Sequence, residues 1–367
     1  MEHTRNMQCS TLTTKQPKVE LHIHLDGAVR PSTVWDLAKK SGVDMPGSSA
    51  EELATNISNF KMGSLSKFLQ AFNIFMPVLI ADKEAIRRIS YELCEDKAKE
   101  GVVYLEARFS PHILANCGAS WLNLNVKKTL SIREVMQCVV EGIEAGQRDF
   151  KIKTRLIMCM VKLEPTWAAE CLQLCKEFSS LVVGIDIGGE EDLPLDSEII
   201  RVFQEAERCG IHRTVHAGES GPAEHIKEAV DLLKAERIGH GYSSLENQEI
   251  YQMLKDKNIH LEVCPTSSIF TGSCDPDFTK HPCIRFVKDG MNFSLNTDDP
   301  TIFGNTINDE FKIAKEYFGV DDEQAAQVTL NAAQSCFLPE AEKQALIQQL
   351  IATYKDIGFN LTLFHQA

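Results

Sequence analysis

The chain has 367 residues, of which 43% are hydrophobic, 25% charged and 7% aromatic. That balance is globular and excludes a disordered, collagenous or coiled-coil chain. Lys and Arg number 38 against 52 Asp and Glu, a formal net charge of −14, so neither nucleic acid nor an acidic membrane is an expected partner.

Residues 1–17 lack the apolar centre of a secretory signal. The greasiest stretch, 71–81, is broken by Asn73 and Pro77 and is too short to insert across a membrane. The expectation is a soluble, cytoplasmic protein with residues 1–17 as a tail and 18–367 as one domain. Twelve cysteines are scattered through apolar runs without paired spacing, which fits a reducing compartment. Asn-x-Ser/Thr triplets begin at Asn56, Asn292 and Asn360; Asn292 falls inside a predicted strand, where a glycan has no room, and the triplets read as chance.

Short apolar runs of β type recur at 19–24, 102–109, 154–160, 181–187, 213–216, 237–240, 260–264 and 292–296. Amphipathic helical segments lie between them at 84–99, 132–148, 167–178, 196–209, 223–233 and 248–255. Strands apolar on both faces and separated by helices call for a parallel sheet covered on both sides, and eight of them suggest closure. The expected fold class is α/β, a single (β/α)8 TIM-type barrel, with an open doubly wound sheet as the alternative. A barrel carries its chemistry at the C-terminal ends of the strands. His22 and His24 end the first run, Gly188 and Gly189 follow the fourth, His216 and Glu219 the fifth, His240 ends the sixth, and Asp298 and Asp299 follow the eighth.

His22 and His24 are two apart on a strand, so both imidazoles share one face and suit a divalent metal. His216-Ala217-Gly218-Glu219 adds a third imidazole, small residues that let the backbone approach a ligand, and a carboxylate whose pKa an enclosed pocket raises toward that of a general acid. The bland alternative for Glu219 is an acid stabilising the dipole of the next helix. Asp298-Asp299 places two like charges side by side, which costs energy unless a cation or donor takes one. One aspartate can complete a three-His, one-Asp site with an open position for water, as in catalytic zinc sites. His240, flanked by glycines, suits a ligand, a base or a proton shuttle. No lysine or carboxylate at Gly188-Gly189 bridges a second metal, so a single ion is the simpler reading. Leu65, Phe68, Leu69 and Phe72 form an apolar stripe in the excursion between strands one and two, either core or a helical lid over a small pocket.

PKVELHIHLDGA, KEGVVYLEARFSPH, GIHRTVHAGE, RIGHGY and SLNTDDP occur in this order, and together they resemble the adenosine deaminases of the metal-dependent hydrolase superfamily, close to the vertebrate type. The resemblance runs from about Lys18 through 331–339. It implies a (β/α)8 barrel with one zinc per chain, ligands His22, His24, His216 and Asp298, and hydrolysis of adenosine and 2′-deoxyadenosine to inosine and 2′-deoxyinosine plus ammonia. By the same resemblance Glu219 protonates purine N1, His240 takes a proton from the attacking water and orients it, and Asp299 bonds N7. The backbone N–H of Gly189 meets N3, Asp26 the ribose 5′-hydroxyl, and Leu65, Phe68, Leu69 and Phe72 cover the pocket. The chain departs from vertebrate-type members in Thr266, where they commonly carry Trp, in Ser243, where they carry His, and in a shorter segment between Gly189 and His216. The implied partner is a small purine nucleoside; a cell-surface protein partner is not readable here. The P-C-x-x-C signature of the other zinc deaminase fold is missing, since Pro282-Cys283 has no second cysteine. Rival readings are an enzyme for AMP, methylated AMP or adenine, against which acidic Asp26 argues, and a binding protein with a vestigial site.

Overall fold

The computed structural model describes residues 16–59, 65–118 and 126–359, with backbone alone at 65–69. Eight strands form in the predicted places: β1 (Lys18–His24), β2 (Val102–Phe109), β3 (Lys153–Val161), β4 (Val182–Gly188), β5 (His212–Ala217), β6 (Arg237–His240), β7 (His260–Val263) and β8 (Phe293–Leu295). Their neighbours are in sequence order and all seven pairings are parallel. The six expected helices are Lys83–Lys99, Ile132–Phe150, Ala168–Glu177, Ser197–Arg208, Ala223–Asp231 and Gln248–Asp256. Several start on residues that satisfy the free N–H groups of a first turn: Asp82 accepts from Ala85, Asn247 from Glu249 and Ile250, and Ser131 forms a reciprocal box with Glu134.

What separates a barrel from an open sheet is the seam between β8 and β1. Here His24 N–H donates to Asp298 O at 2.9 Å and Asp298 N–H to His22 O at 3.1 Å, with Ile23 bridged in parallel to Asp298. Below that bridge the ladder is replaced by a side chain: Asn296 Oδ1 accepts the backbone N–H groups of Leu21 (2.9 Å) and His22 (3.1 Å). The doubly wound alternative is thereby excluded, and the fold is the (β/α)8 barrel.

The excursion between β1 and β2 holds the helices Pro31–Ser41, Ala50–Ser58 and Leu65–Leu79 before Lys83–Lys99. Pro77 lies within the third of these. Phe75 and Met76 of that helix are buried, Phe72 is half-buried, and the Phe72 and Phe75 rings lie 5.4 Å apart. The side chains of Leu65, Phe68 and Leu69 fall outside the described residues.

Two boundary details differ from expectation. Asn292 precedes β8 instead of lying within it, and its side chain donates to Ser335 Oγ at 3.2 Å; Asn360 lies outside the described residues. Gln16 and Pro17, assigned to the tail, are buried, with Pro17 O accepting from Tyr354. Among the described residues all eleven cysteines are free thiols and no helix is long and apolar enough to cross a membrane.

Removing the side chain that stitches the seam orphans two buried donors, each costing about 1–3 kcal/mol. Asn296→Ala should therefore lower the unfolding free energy by roughly 2–6 kcal/mol in urea titration; a loss under about 0.5 kcal/mol would show that Asn296 does not hold the barrel shut.

Candidate active site

The lumen of the barrel is charged, although the strands around it are mostly apolar. Arg108 on β2 donates to Asp186 on β4 (2.7 Å), to Glu262 on β7 and to Leu21 O on β1 (2.8 Å). Arg237 on β6 donates to the same Glu262 (2.7 Å) and pairs with Glu106 on β2 (2.7 Å). The bonds from Arg108 to Asp186 and Glu262, and from Arg237 to Glu106, join strands that are not neighbours, so they run through the interior. Burial alone pushes the Glu262 carboxyl up, but the two guanidinium groups override it and hold the group well below its usual range. The same competition, with His216 and Arg108 against burial, keeps Asp186 ionised.

Two of those carboxylates aim histidines. His22 Nδ1 lies 2.7 Å from Glu262 Oε2, and His216 Nδ1 lies 3.0 Å from Asp186 Oδ2. An ionised carboxylate only accepts, so each ring places its proton on Nδ1 and turns the Nε2 lone pair the other way. His22 Nε2 is buried and has no hydrogen-bond partner. It lies 3.2 Å from Asp298 Oδ1, which is also 3.4 Å from His24 Nε2. Ligand atoms of His22, His24, His216 and Asp298 all fall within 4.8 Å of one another. Ser267 Oγ donates to the other Asp298 oxygen at 2.7 Å. Asp298 and His240 both have positive φ, 65° and 69°, a region non-glycine residues seldom occupy. Such backbone outliers concentrate where surrounding structure forces a side chain into place.

Above this cluster lies a cavity of about 120 Å³, walled by His24, His216, His240 and Asp298 on one side. Glu219, Asp299, Asp26, Gly189 and Phe72 complete the wall, with Met160 and Ile113 among its apolar members. Thus every described side chain singled out from the sequence gathers at one place, and His22 lies beneath it, fully buried.

Burial sets the protonation states here. It pushes the Glu219 carboxyl up to about 8, with the charges of Asp298 and Glu191 adding to the effect. It pushes Asp299 well above the carboxylate range, again with help from Asp298, and Asp26 up to about 6. It drives His240 well below the usual imidazole value, with His22 acting in the same direction. His240 Nε2 lies 3.7 Å from Glu219 Oε2. Asp299 Oδ1 is buried without a partner. Its approach requires glycine at position 27, because a Cβ there would sit 1.7 Å from Asp299 Oδ1. Gly189 likewise has φ +103°, which turns its backbone toward the cavity as a side-chain-bearing residue seldom can.

Arg108, Asp186, Glu262 and Ser267 were not among the residues singled out. The first three carried a readable signal: a charge inside an otherwise apolar strand. Which charges meet across the lumen is a property of closure.

The sequence profile described as adenosine deaminase matches residues 17–353. An adenosine deaminase from Gallus gallus is 52% identical over 341 residues, covering 92% of this chain and 96% of its own. Among solved structures, an adenine deaminase from Arthrobacter aurescens superposes with a TM-score of 0.82 at 26% identity, covering 93% of this chain and 99% of that one. An amidohydrolase from Burkholderia ambifaria with bound Zn also gives a TM-score of 0.82, at 25% identity over 95% of this chain and 93% of that one. With the family profile spanning nearly the whole barrel and relatives this similar over their full length, the chain belongs to the adenosine deaminase family.

Proposed function

We propose that this chain hydrolyses adenosine and 2′-deoxyadenosine to inosine and 2′-deoxyinosine with release of ammonia. The observation that carries the reading is a single cavity in which a buried carboxyl, still protonated at neutral pH, faces a cluster of three imidazoles and one carboxylate. The similarity to adenosine deaminases over more than nine-tenths of the chain supports it.

The residues fit one zinc per chain, held by His22, His24, His216 and Asp298. The orphaned Nε2 of buried His22 and the tautomers fixed by Glu262 and Asp186 present lone pairs to a common point. Three nitrogens and one oxygen are a donor set suited to zinc. Bound there, zinc supplies Lewis-acid polarisation and a water acidified toward neutrality.

The remaining work belongs to the chain. Glu219 delivers its proton to purine N1, which localises the C6=N1 bond and makes C6 the better electrophile. His240, neutral because it is buried, accepts a proton from the attacking water and orients it. Asp299, held neutral, donates to N7, the Gly189 N–H donates to N3, and Asp26 takes the ribose 5′-hydroxyl. Phe72, with Leu65, Phe68 and Leu69, forms the apolar cover. Hydrogen bonds at N1, N3 and N7 reject a pyrimidine, because each missing partner leaves a buried polar group unpaired.

The second reading, a nucleotide or free base as substrate, is disfavoured by charge. Among the described residues no Lys or Arg lines the cavity to meet a phosphate, and Asp26 repels one. We further read 18–367 as one catalytic unit preceded by a tail, supported by the family match over 17–353. The free thiols favour a cytoplasmic location.

Purified enzyme assayed in parallel with adenosine, 2′-deoxyadenosine, AMP and adenine should convert the two nucleosides alone, and a chelator should abolish the conversion; preference for AMP would overturn the role given to Asp26. Glu219→Gln should keep one zinc per chain by atomic absorption and lose about 10²–10⁴-fold in kcat. In the wild type the protonated acid is required, so kcat/KM should be retained below pH 8 and fall as pH rises through about 8. Full turnover by zinc-loaded Glu219→Gln would remove Glu219 from the mechanism. Asp298→Ala should lose metal and activity together; stoichiometric zinc in that variant would dismiss Asp298 as a ligand.

A further inference from the structure

The loop that carries Glu219 has no regular structure of its own between β5 and the helix Ala223–Asp231. Something must hold it against the cavity, and the hydrogen bonds name one side chain. Glu191, two residues beyond Gly189, is 4% exposed and directs its carboxylate at the backbone on both sides of Glu219. One oxygen accepts the N–H of Gly218; the other accepts the N–H groups of Ser220 and Gly221 and the Ser220 hydroxyl at 3.2 Å. A further bond ties in the preceding loop, where Lys162 Nζ donates to Glu191 O at 2.8 Å.

We propose that Glu191 is a positioning residue for the reaction: its carboxylate clamps the 218–221 backbone so that Glu219 stands in register with the base contact made by Gly189. The inference rests on the deamination reading for the role of Glu219. Three backbone N–H groups converging on one carboxylate form an anion-binding concavity whose occupant is part of the protein itself. Such charge-assisted bonds are short and directional, and they fix the loop as a neutral side chain cannot. Because Glu191 lies on the same loop two residues after Gly189, the donor to N3 and the acid for N1 are tied to one another and not only to the barrel. Its negative charge also adds to the forces that keep Glu219 protonated.

Glutamine at 191 keeps the shape but replaces one acceptor oxygen with an amino group that opposes a backbone N–H, whichever way the amide turns. Aspartate keeps both acceptors and the charge on a shorter arm. Zinc-loaded Glu191→Gln, normalised to metal-loaded sites, should therefore lose at least about tenfold in kcat with KM within about threefold, since N1 protonation matters most in the transition state. Glu191→Asp should recover part of that loss. Amide hydrogen exchange across 218–221 should quicken in the glutamine variant.

A glutamine variant with kcat within about twofold of wild type would overturn the proposal, as would a loss confined to thermal stability or folded yield, or a rise in KM at unchanged kcat. Should the glutamine variant fail to fold, the aspartate variant decides by the same split of kcat from KM. Wild-type protein that leaves adenosine untouched would instead defeat the deamination reading. Unchanged amide protection at 218–221 would defeat the clamp whatever the substrate.

Discussion

The ion pair between Arg108 and Glu262, sealed inside the barrel, is the constraint on which the rest of the site depends. Glu262 spends one oxygen on Arg108 and His22 and the other on Arg237 and Thr214, so all of its accepting capacity is used. Arg108 in turn holds Asp186, which holds His216. Two guanidinium groups thus keep two carboxylates ionised, and those carboxylates set the tautomer and aim of two imidazoles. Burying so many charges is unfavourable unless each is paired, and removing any one partner would leave another stranded in a medium that solvates it poorly. The network is better understood as a device for orientation than as a source of stability.

Within a few ångströms the same chain keeps other carboxyl groups neutral. Asp298 faces histidines and stays ionised, whereas Asp299, the next residue, faces Asp298 and Asp26 without a cation and is driven up. Glu219 shares that fate. One environment leaves an ionised oxygen that only accepts, and the other leaves protonated carboxyl groups able to donate. Adjacent residues acquire opposite character from their neighbours: Asp298, with φ 65° at the seam, meets imidazoles, while Asp299, just before the helix Pro300–Phe303, meets other carboxylates. A regular strand would send the two side chains to opposite faces; here both line one cavity.

Much of this was legible before folding. Alternating apolar runs and amphipathic segments located each of the eight strands to within a residue at either end, because the pattern of burial repeats along the chain itself. His22, His24, His216, Glu219, His240, Asp298 and Asp299 stood out as polar residues at strand ends, where a parallel barrel exposes its loops. Asp26 and the base contact given to Gly189 came from resemblance, whereas the 65–72 stripe stood out by its helical spacing, and of that stripe Phe72 reaches the cavity. Arg108, Asp186 and Glu262 escaped notice because a charge in an apolar strand does not announce its partner. Glu191 escaped for a similar reason, since it sits in a loop among other acids and its ligands are backbone amides with no signature in the sequence.

The sequence by itself determined the order of strands and helices, the class of chemistry and the polar residues that gather at the cavity. These follow from local periodicity and from the few side chains able to bind a metal or move a proton. Only the tertiary structure decided that the sheet closes through Asn296 and Asp298, which histidine nitrogen is free, and which carboxyl groups hold their protons. Those outcomes depend on distances between residues far apart in the chain and on the exclusion of water from the lumen. Neither quantity exists until β8 returns to β1.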